Sequence, residues 1–121
     1  MKVSYPVSAN RYWRISKNRL YRSKEAMAYK QEIGLIANLM LKKIITGDVR
    51  VCLTLHPKLT VKKTASKTRI DLDNVIKVAL DALNGIAYKD DKQVIEIFAK
   101  IGTAILDGGL TIEIEEVSFS E

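Results

Sequence analysis

The chain has 121 residues, 47% of them hydrophobic, and 20 lysines and arginines set against 14 aspartates and glutamates for a formal charge of +6. That length predicts one domain spanning 1–121 with a modest core, and no apolar run nears the ~18 residues of a membrane span. The opening MKVSYPVSANRYWR lacks the apolar core and cleavage site of a signal peptide, and the lone Cys52 excludes an intrachain disulfide, so a reducing cytoplasm is the expected location.

MKVSYPV reads as a short strand ended by Pro6. NRYWRISKNRLYRS, with aromatic and basic residues on both sides of SKN, predicts a hairpin or ordered loop. Ser23 caps a first helix in which Ala26, Tyr29, Ile33, Ile36, Ala37, Met40 and Ile44 recur at helical spacing, until Gly47 stops it. DVRVCLTLH alternates, with Val49, Val51, Leu53 and Leu55 on one face of a half-buried strand and Arg50, Cys52, Thr54 and His56 on the other. After Pro57 comes a basic loop to residue 70, then a second helix from Leu72 to about Asn84, ended by Gly85. QVIEIFAKIGT and LTIEIEEV both alternate and predict an antiparallel hairpin turning at Asp107-Gly108-Gly109. The order β-(hairpin)-α-β-α-β-β gives an α+β fold, a mostly antiparallel sheet with two main helices.

The charges are segregated. Residues 1–24 hold seven bases and no acid, and residues 58–69 hold five bases and no acid. Two such segments point to a polyanion, most often nucleic acid, and make Arg11, Arg14, Arg19, Arg22, Lys62, Lys63, Lys67 and Arg69 the candidate DNA contacts. Solvated lysines on a basic protein are the alternative. Tyr12, Trp13 and Tyr21, interleaved with these bases, suit either stacking on unpaired bases or packing on the first helix. His56 and Cys52 read as structural, and one Cys with one His builds no zinc site of the usual spacing.

Five of the acids fall within residues 71–91: Asp71, Asp73, Asp81, Asp90 and Asp91. Each has an ordinary reading. Asp71 can cap the second helix, Asp73 can favour its first turn and pair with Lys77 at i+4, and Asp90-Asp91 can form a polar turn. On the helical wheel Leu72, Ile76, Ala79, Leu80 and Leu83 make one apolar face, and Val75, Val78 and Ala82 a second. That predicts burial on two sides, with the Val75, Val78, Ala82 arc the candidate contact to a second subunit. Taken together, two carboxylates at a helix start, a third from a nearby loop and a lysine one turn on describe a site for a hard cation and a phosphate.

DLDNVIKVALDALNGIAYKDDKQV resembles the signature of the RusA-type Holliday-junction resolvases, and PVSANRYWR is similar to that family's opening. The likeness covers nearly the whole chain. It implies a RusA-like, homodimeric, Mg²⁺-dependent endonuclease, with Mn²⁺ substituting, that resolves four-way DNA junctions by paired nicks in recombination and repair. It also implies a bacterial or phage-encoded protein with no membrane association and no small-molecule cofactor. Carried over, the catalytic metal site falls on Asp71, Asp73 and Asp91 and the functional lysine on Lys77. Family members can carry arginine directly before the first aspartate, where this chain has Ile70. The competing readings are a non-catalytic basic module that binds nucleic acid, and a phosphotransfer enzyme for small nucleotides, which the lack of a P-loop disfavours.

Overall fold

The computed structural model describes residues 1–6, 13–16, 19–41, 43–67 and 69–117, with 13–16, 19 and 20 described by backbone alone. The strands are β1 (Lys2–Val3), β2 (Trp13–Ser16), β3 (Arg19–Arg22), β4 (Val49–His56), β5 (Val94–Ile101) and β6 (Gly109–Glu116). Two helices, α1 (Lys24–Met40) and α2 (Leu72–Leu83), and a 3-10 turn at Asp91–Gln93 complete the elements. The α+β class holds. β2 and β3 pair as an antiparallel hairpin, Trp13 opposite Arg22. The remaining strands form one sheet in the order β1-β6-β4-β5.

β4 is the centre of that sheet, and its sequence says why. Every second residue is aliphatic, and Val49, Val51, Leu53 and Leu55 are all buried under the helices. Full burial of such a side chain contributes about 1.5–3 kcal/mol. Above them lie Ala26, Tyr29, Ile33 and Ala37 of α1, and Val75, Val78, Ala79, Ala82 and Leu83 of α2. Both helices thus cover the same face of the sheet. No helix among the described residues is long and apolar enough to cross a membrane.

Three expectations change. β5 and β6 do not form a hairpin: β5 pairs parallel with β4 on one side, and β6 antiparallel with it on the other. A two- to five-residue hairpin loop cannot step over an intervening strand. The segment from Gly102 to Gly108 does so, tied to the end of β4 and the residues beyond by Gly102 N to Leu55 O (2.8 Å) and Ile105 N to Pro57 O (3.0 Å). The parallel β4–β5 pair needs a long crossover, which α2 supplies. Two of the three sheet pairings remain antiparallel.

α1 ends at Met40 rather than near Gly47, because three β-branched residues in a row, Ile44, Ile45 and Thr46, disfavour helix. Ile45 instead bridges to Tyr88.

The Val75, Val78, Ala82 arc is not free for a second subunit either. All three are fully buried in the chain's own core, and the opposite apolar row of Leu72, Ile76 and Leu80 is the half-buried one. Val78→Glu is therefore expected to destabilise the fold by more than about 4 kcal/mol by burying an unpaired carboxylate, not to yield a folded monomer. Thermal unfolding followed by circular dichroism checks this.

Candidate functional site

α2 begins at Asp71, whose backbone is extended (φ −69°, ψ 148°) and whose carbonyl accepts from Val75 N at 3.0 Å. Asp71 therefore holds the cap position, but its side chain makes no cap hydrogen bond. Asp73 and Lys77 are exposed on the first turns, and the i+4 pair between them is not formed among the described residues. Among the described residues, two carboxylates and an ammonium thus stand at one helix start without a partner. The ordinary readings of cap and helix pair would have used them up.

The approach to this start is fixed by packing. Ile70 N donates to the Tyr5 hydroxyl at 2.8 Å, and Ile70 packs against the core. This is the position where a basic residue was absent from the sequence pattern, and its burial accounts for an isoleucine there. The ring of Tyr5 lies beneath the Lys58 ammonium, 5.3 Å from the centroid. Gly108, at φ +70°, closes the stack: a Cβ there would come within 2.8 Å of Tyr5 and 2.9 Å of Lys58.

Between β4 and α2 the basic loop is an ordered finger. Lys58 bridges Ile105 and Leu59 bridges Ala65 at its base. Thr60 N donates to Thr64 O at 2.7 Å, their hydroxyls lie 2.8 Å apart, and Lys63 takes φ 60° to close the turn. Lys62, Lys63, Lys67 and Arg69 are all exposed along it.

The other candidate contacts sit in the β2–β3 hairpin. Arg14 and Arg19 belong to its strands, while Arg11 and Tyr12 lie outside the described residues. Arg22 is engaged: its Nε and Nη2 donate to the Asp81 carboxylate at 2.6 and 2.8 Å. Tyr21 is exposed. Trp13 is described by backbone alone.

Asp91 occupies a different place. It opens the 3-10 turn, and Asp90 caps that turn by accepting from Lys92 N at 2.9 Å. Gln93 locks the turn: its Oε1 accepts from the amides of Lys89 and Asp90, and its Nε2 donates to Ile45 O and Gly47 O. The two neighbours are thereby differentiated. The Lys92 amide holds the Asp90 carboxyl below its usual range. Asp91 is pushed up, first by its hydrogen bond with the Asp90 carboxyl, with the charges of Asp90 and Asp81 adding. Asp90 is spent on the turn, whereas Asp91 is a crowded carboxyl whose repulsion a cation would relieve.

These two groups are separated within one chain. Asp71 starts α2 beside the end of β4, and Asp91 precedes β5 at the opposite end of the sheet. The helix alone spans roughly 18 Å. Among the described residues no group of three or more His, Cys, Asp and Glu side chains gathers closely enough to hold a metal ion. The loop bearing Asp91 is thus not the nearby donor that the sequence suggested.

A second feature escaped the sequence reading. Lys30 of α1 donates to the carbonyls of Asp81 (2.7 Å), Ala82 (3.3 Å) and Asn84 (2.9 Å), which closes the C-terminal end of α2 with a cation. Burial lowers its pKa, while Asp81 opposes that shift. Beside it the Tyr88 hydroxyl donates to Leu80 O at 3.0 Å, its pKa raised by burial and then by Asp91 and Asp81. The one sequence signal was Asp81 itself, an acid on an otherwise largely apolar helix. His56 is structural, with its ring nitrogens 2.8 Å from Thr103 O and from Thr111 Oγ1. Cys52 is a free, half-buried thiol on the open face of the sheet.

Residues 4–115 match the family model described as Endodeoxyribonuclease RusA. A protein of Escherichia coli strain K12 named crossover junction endodeoxyribonuclease RusA is 32% identical over 96 residues, which cover 78% of this chain and 74% of that one. A protein of Enterobacteria phage HK97 with the same name is 31% identical over 116 residues, covering 95% of this chain and 92% of its own. One from Shigella sonnei strain Ss046, again of that name, is 32% identical over 96 residues, with 78% and 74% covered.

Proposed function

The chain belongs to the RusA family of endodeoxyribonucleases, and from that premise we propose that it is a divalent-metal-dependent nuclease, a homodimer of single-domain subunits, that resolves four-way DNA junctions by paired nicks. The observation that carries this is the start of α2: Asp71, Asp73 and Lys77, exposed and unpaired among the described residues, directly follow the basic finger.

The residues suit a hard cation. Carboxylates are its preferred ligands, and Mg²⁺ takes one or two from protein while keeping waters and phosphate oxygens, so a closed protein cage is not required. Asp71 and Asp73 would hold it, with Mn²⁺ as a substitute, and Asp91 of the partner subunit would supply the third carboxylate, since one chain keeps its own Asp91 at the far end of the sheet. A bound cation there would supply Lewis acidity at the scissile phosphate and a more acidic water. Lys77, one turn from Asp73, would hold the phosphate and the charge that develops on it. Asp71 and Asp73 also repel a phosphate in the absence of the cation, which ties correct seating of DNA to metal loading. A dimer gives one such site to each of two symmetry-related strands of a junction. Bacterial cytoplasm is the proposed place of action.

The deciding experiment incubates purified protein with a synthetic four-way junction and with linear duplex, in Mg²⁺ and in EDTA. Mg²⁺-dependent nicking confined to the junction is the expected result. Binding of both DNAs without nicking in any metal would leave only the basic binding module.

Phosphate binding by the finger and by the β2–β3 hairpin should dominate affinity. Replacing Lys62, Lys63 and Lys67 by Gln together is expected to flatten the dependence of log affinity on log salt by about 0.9 for each phosphate no longer neutralised, or about 2.7 in all. Junction titrations at three salt concentrations measure this, and an unchanged slope would remove the finger from the DNA surface.

A further inference from the structure

We infer that Arg22 is a positioning residue. Through its fork on Asp81 it fixes the β2–β3 hairpin to the C-terminal end of α2, and so sets where hairpin-bound DNA lies relative to the cleavage site. This rests on the reading above that the hairpin binds DNA.

β2 and β3 form a two-stranded sheet of their own, apart from the four-stranded one. Two strands alone are marginally stable in water, so the direction of the hairpin depends on what its base is tied to. That base is Arg22, the last residue of β3, directly before the buried cap Ser23 of α1.

Arg22 Nε and Nη2 donate to the two oxygens of the Asp81 carboxylate, whose side chain is only 15% exposed. Two parallel bonds from a planar guanidinium fix direction as well as distance, which an ammonium cannot do. Asp81 is itself held from the other side. Lys30 of α1 donates to its backbone carbonyl and to those of Ala82 and Asn84. One aspartate thus joins the hairpin, α1 and α2.

The surroundings are open rather than close-packed. A cleft of about 320 Å³, lined by Arg22, Met27, Lys30, Gln31, Gly34 and Ile86, lies beside the pair. The orientation of the hairpin base therefore rests on the polar clasp. A guanidinium so engaged serves DNA by holding its neighbours in place, unlike the exposed lysines of the finger. Asp81 also stands close enough to Asp91 for its charge to act on that carboxyl. The clasp is thus at the end of α2 beside a proposed metal ligand, and slack in it would move bound DNA against that ligand.

The test uses the full chain and single-turnover nicking of an end-labelled synthetic junction at saturating protein. Arg22→Gln and Asp81→Asn should each lower the saturating rate on the order of 10-fold, the cost of a small misplacement of the reacting groups, and should spread the nicks over neighbouring phosphates. The double variant should also lose about 10-fold, not the roughly 100-fold of independent sites, because both changes remove one contact. Arg22→Lys keeps the charge without the fork and should still scatter the nicks. The slope of log affinity against log salt should hold in Arg22→Gln. A slope flattened there by about 0.9, with rate and slope restored in Arg22→Lys, would make Arg22 a phosphate contact and overturn the inference. Losses that add in the double variant, or nicks that stay at the original phosphate in the folded single variants, would overturn it too. Circular dichroism checks folding, and Arg22→Lys, the mildest change, decides the matter if Asp81→Asn unfolds. Any of these failures leaves the DNA-binding reading standing, whereas an unmodified protein that neither binds nor nicks the junction overturns both.

Discussion

Asp71→Asn and Asp73→Asn are each expected to lower the rate of junction nicking by about 10³-fold, since a metal ligand underwrites several kcal/mol of transition-state charge stabilisation and each 1.36 kcal/mol is tenfold in rate. Junction affinity is expected to hold or to tighten, because one negative charge beside the phosphates has gone. Stability should barely change: asparagine is as good a cap as aspartate, and neither carboxylate has a partner to lose among the described residues. That separation of effects is what a purely structural cap would not produce. Asp90→Asn makes the internal contrast, because Asp90 serves the turn through the Lys92 amide and asparagine can accept the same bond. It should cut at close to the unmodified rate. Single-turnover cleavage in limiting Mg²⁺, beside binding in EDTA, measures all three variants. Asp71→Asn cutting at the unmodified rate there would remove Asp71 from the metal site.

How far the sequence could be read follows from what each pattern encodes. The β4 faces were legible because strand alternation is strict, and the structure buries Val49, Val51, Leu53 and Leu55 while leaving Arg50, Cys52, Thr54 and His56 half-exposed. α2 was legible for its length and its start, but the wheel could not say which apolar face meets the sheet. The buried side takes Val75, Val78 and Ala82 from one face and Ala79 and Leu83 from the other, its small alanines letting the helix backbone approach, and leaves the bulkier Leu72, Ile76 and Leu80 on the flank. The supposed β5–β6 hairpin failed on a countable feature. Seven residues separate the strands, and a β-α-β order already favoured a parallel β4–β5 pair. The acid cluster was read as one site because sequence proximity stood in for distance. Asp71 and Asp91 are close in number, but a helix that runs the length of the sheet lies between them. Nothing in the local pattern carries that separation. It emerges only once the direction of α2 is fixed by the crossover.

That same separation makes the strongest prediction about how the site is assembled. Mix two inactive proteins, Asp71→Asn and Asp91→Asn, and allow the subunits to exchange. If each site drew all its carboxylates from one chain, both sites of a mixed dimer would carry a defect, and nicking would stay at the level of the parents. With Asp91 supplied across the dimer, the two substitutions fall together in one site, and the other site receives unmodified Asp71 and Asp73 from one copy and unmodified Asp91 from its partner. Half of the subunit pairings in an equimolar mixture are mixed, so roughly a quarter of the unmodified protein's active sites should return, a gain of several hundredfold over parents impaired about 10³-fold. Each mixed dimer has a single working site, so the product should be junctions nicked in one strand rather than resolved duplexes. Denaturing and native gels of the same reaction distinguish these outcomes. Mixing Asp71→Asn with Asp73→Asn is the control, since both positions lie on the same side of the interface, every site keeps one defect, and no activity should reappear. Absence of recovery in the first mixture would place all three carboxylates within one chain and require Asp91 to reach Asp71 by a rearrangement of the sheet ends, whereas recovery in the control would place Asp71 and Asp73 on opposite sides of the interface.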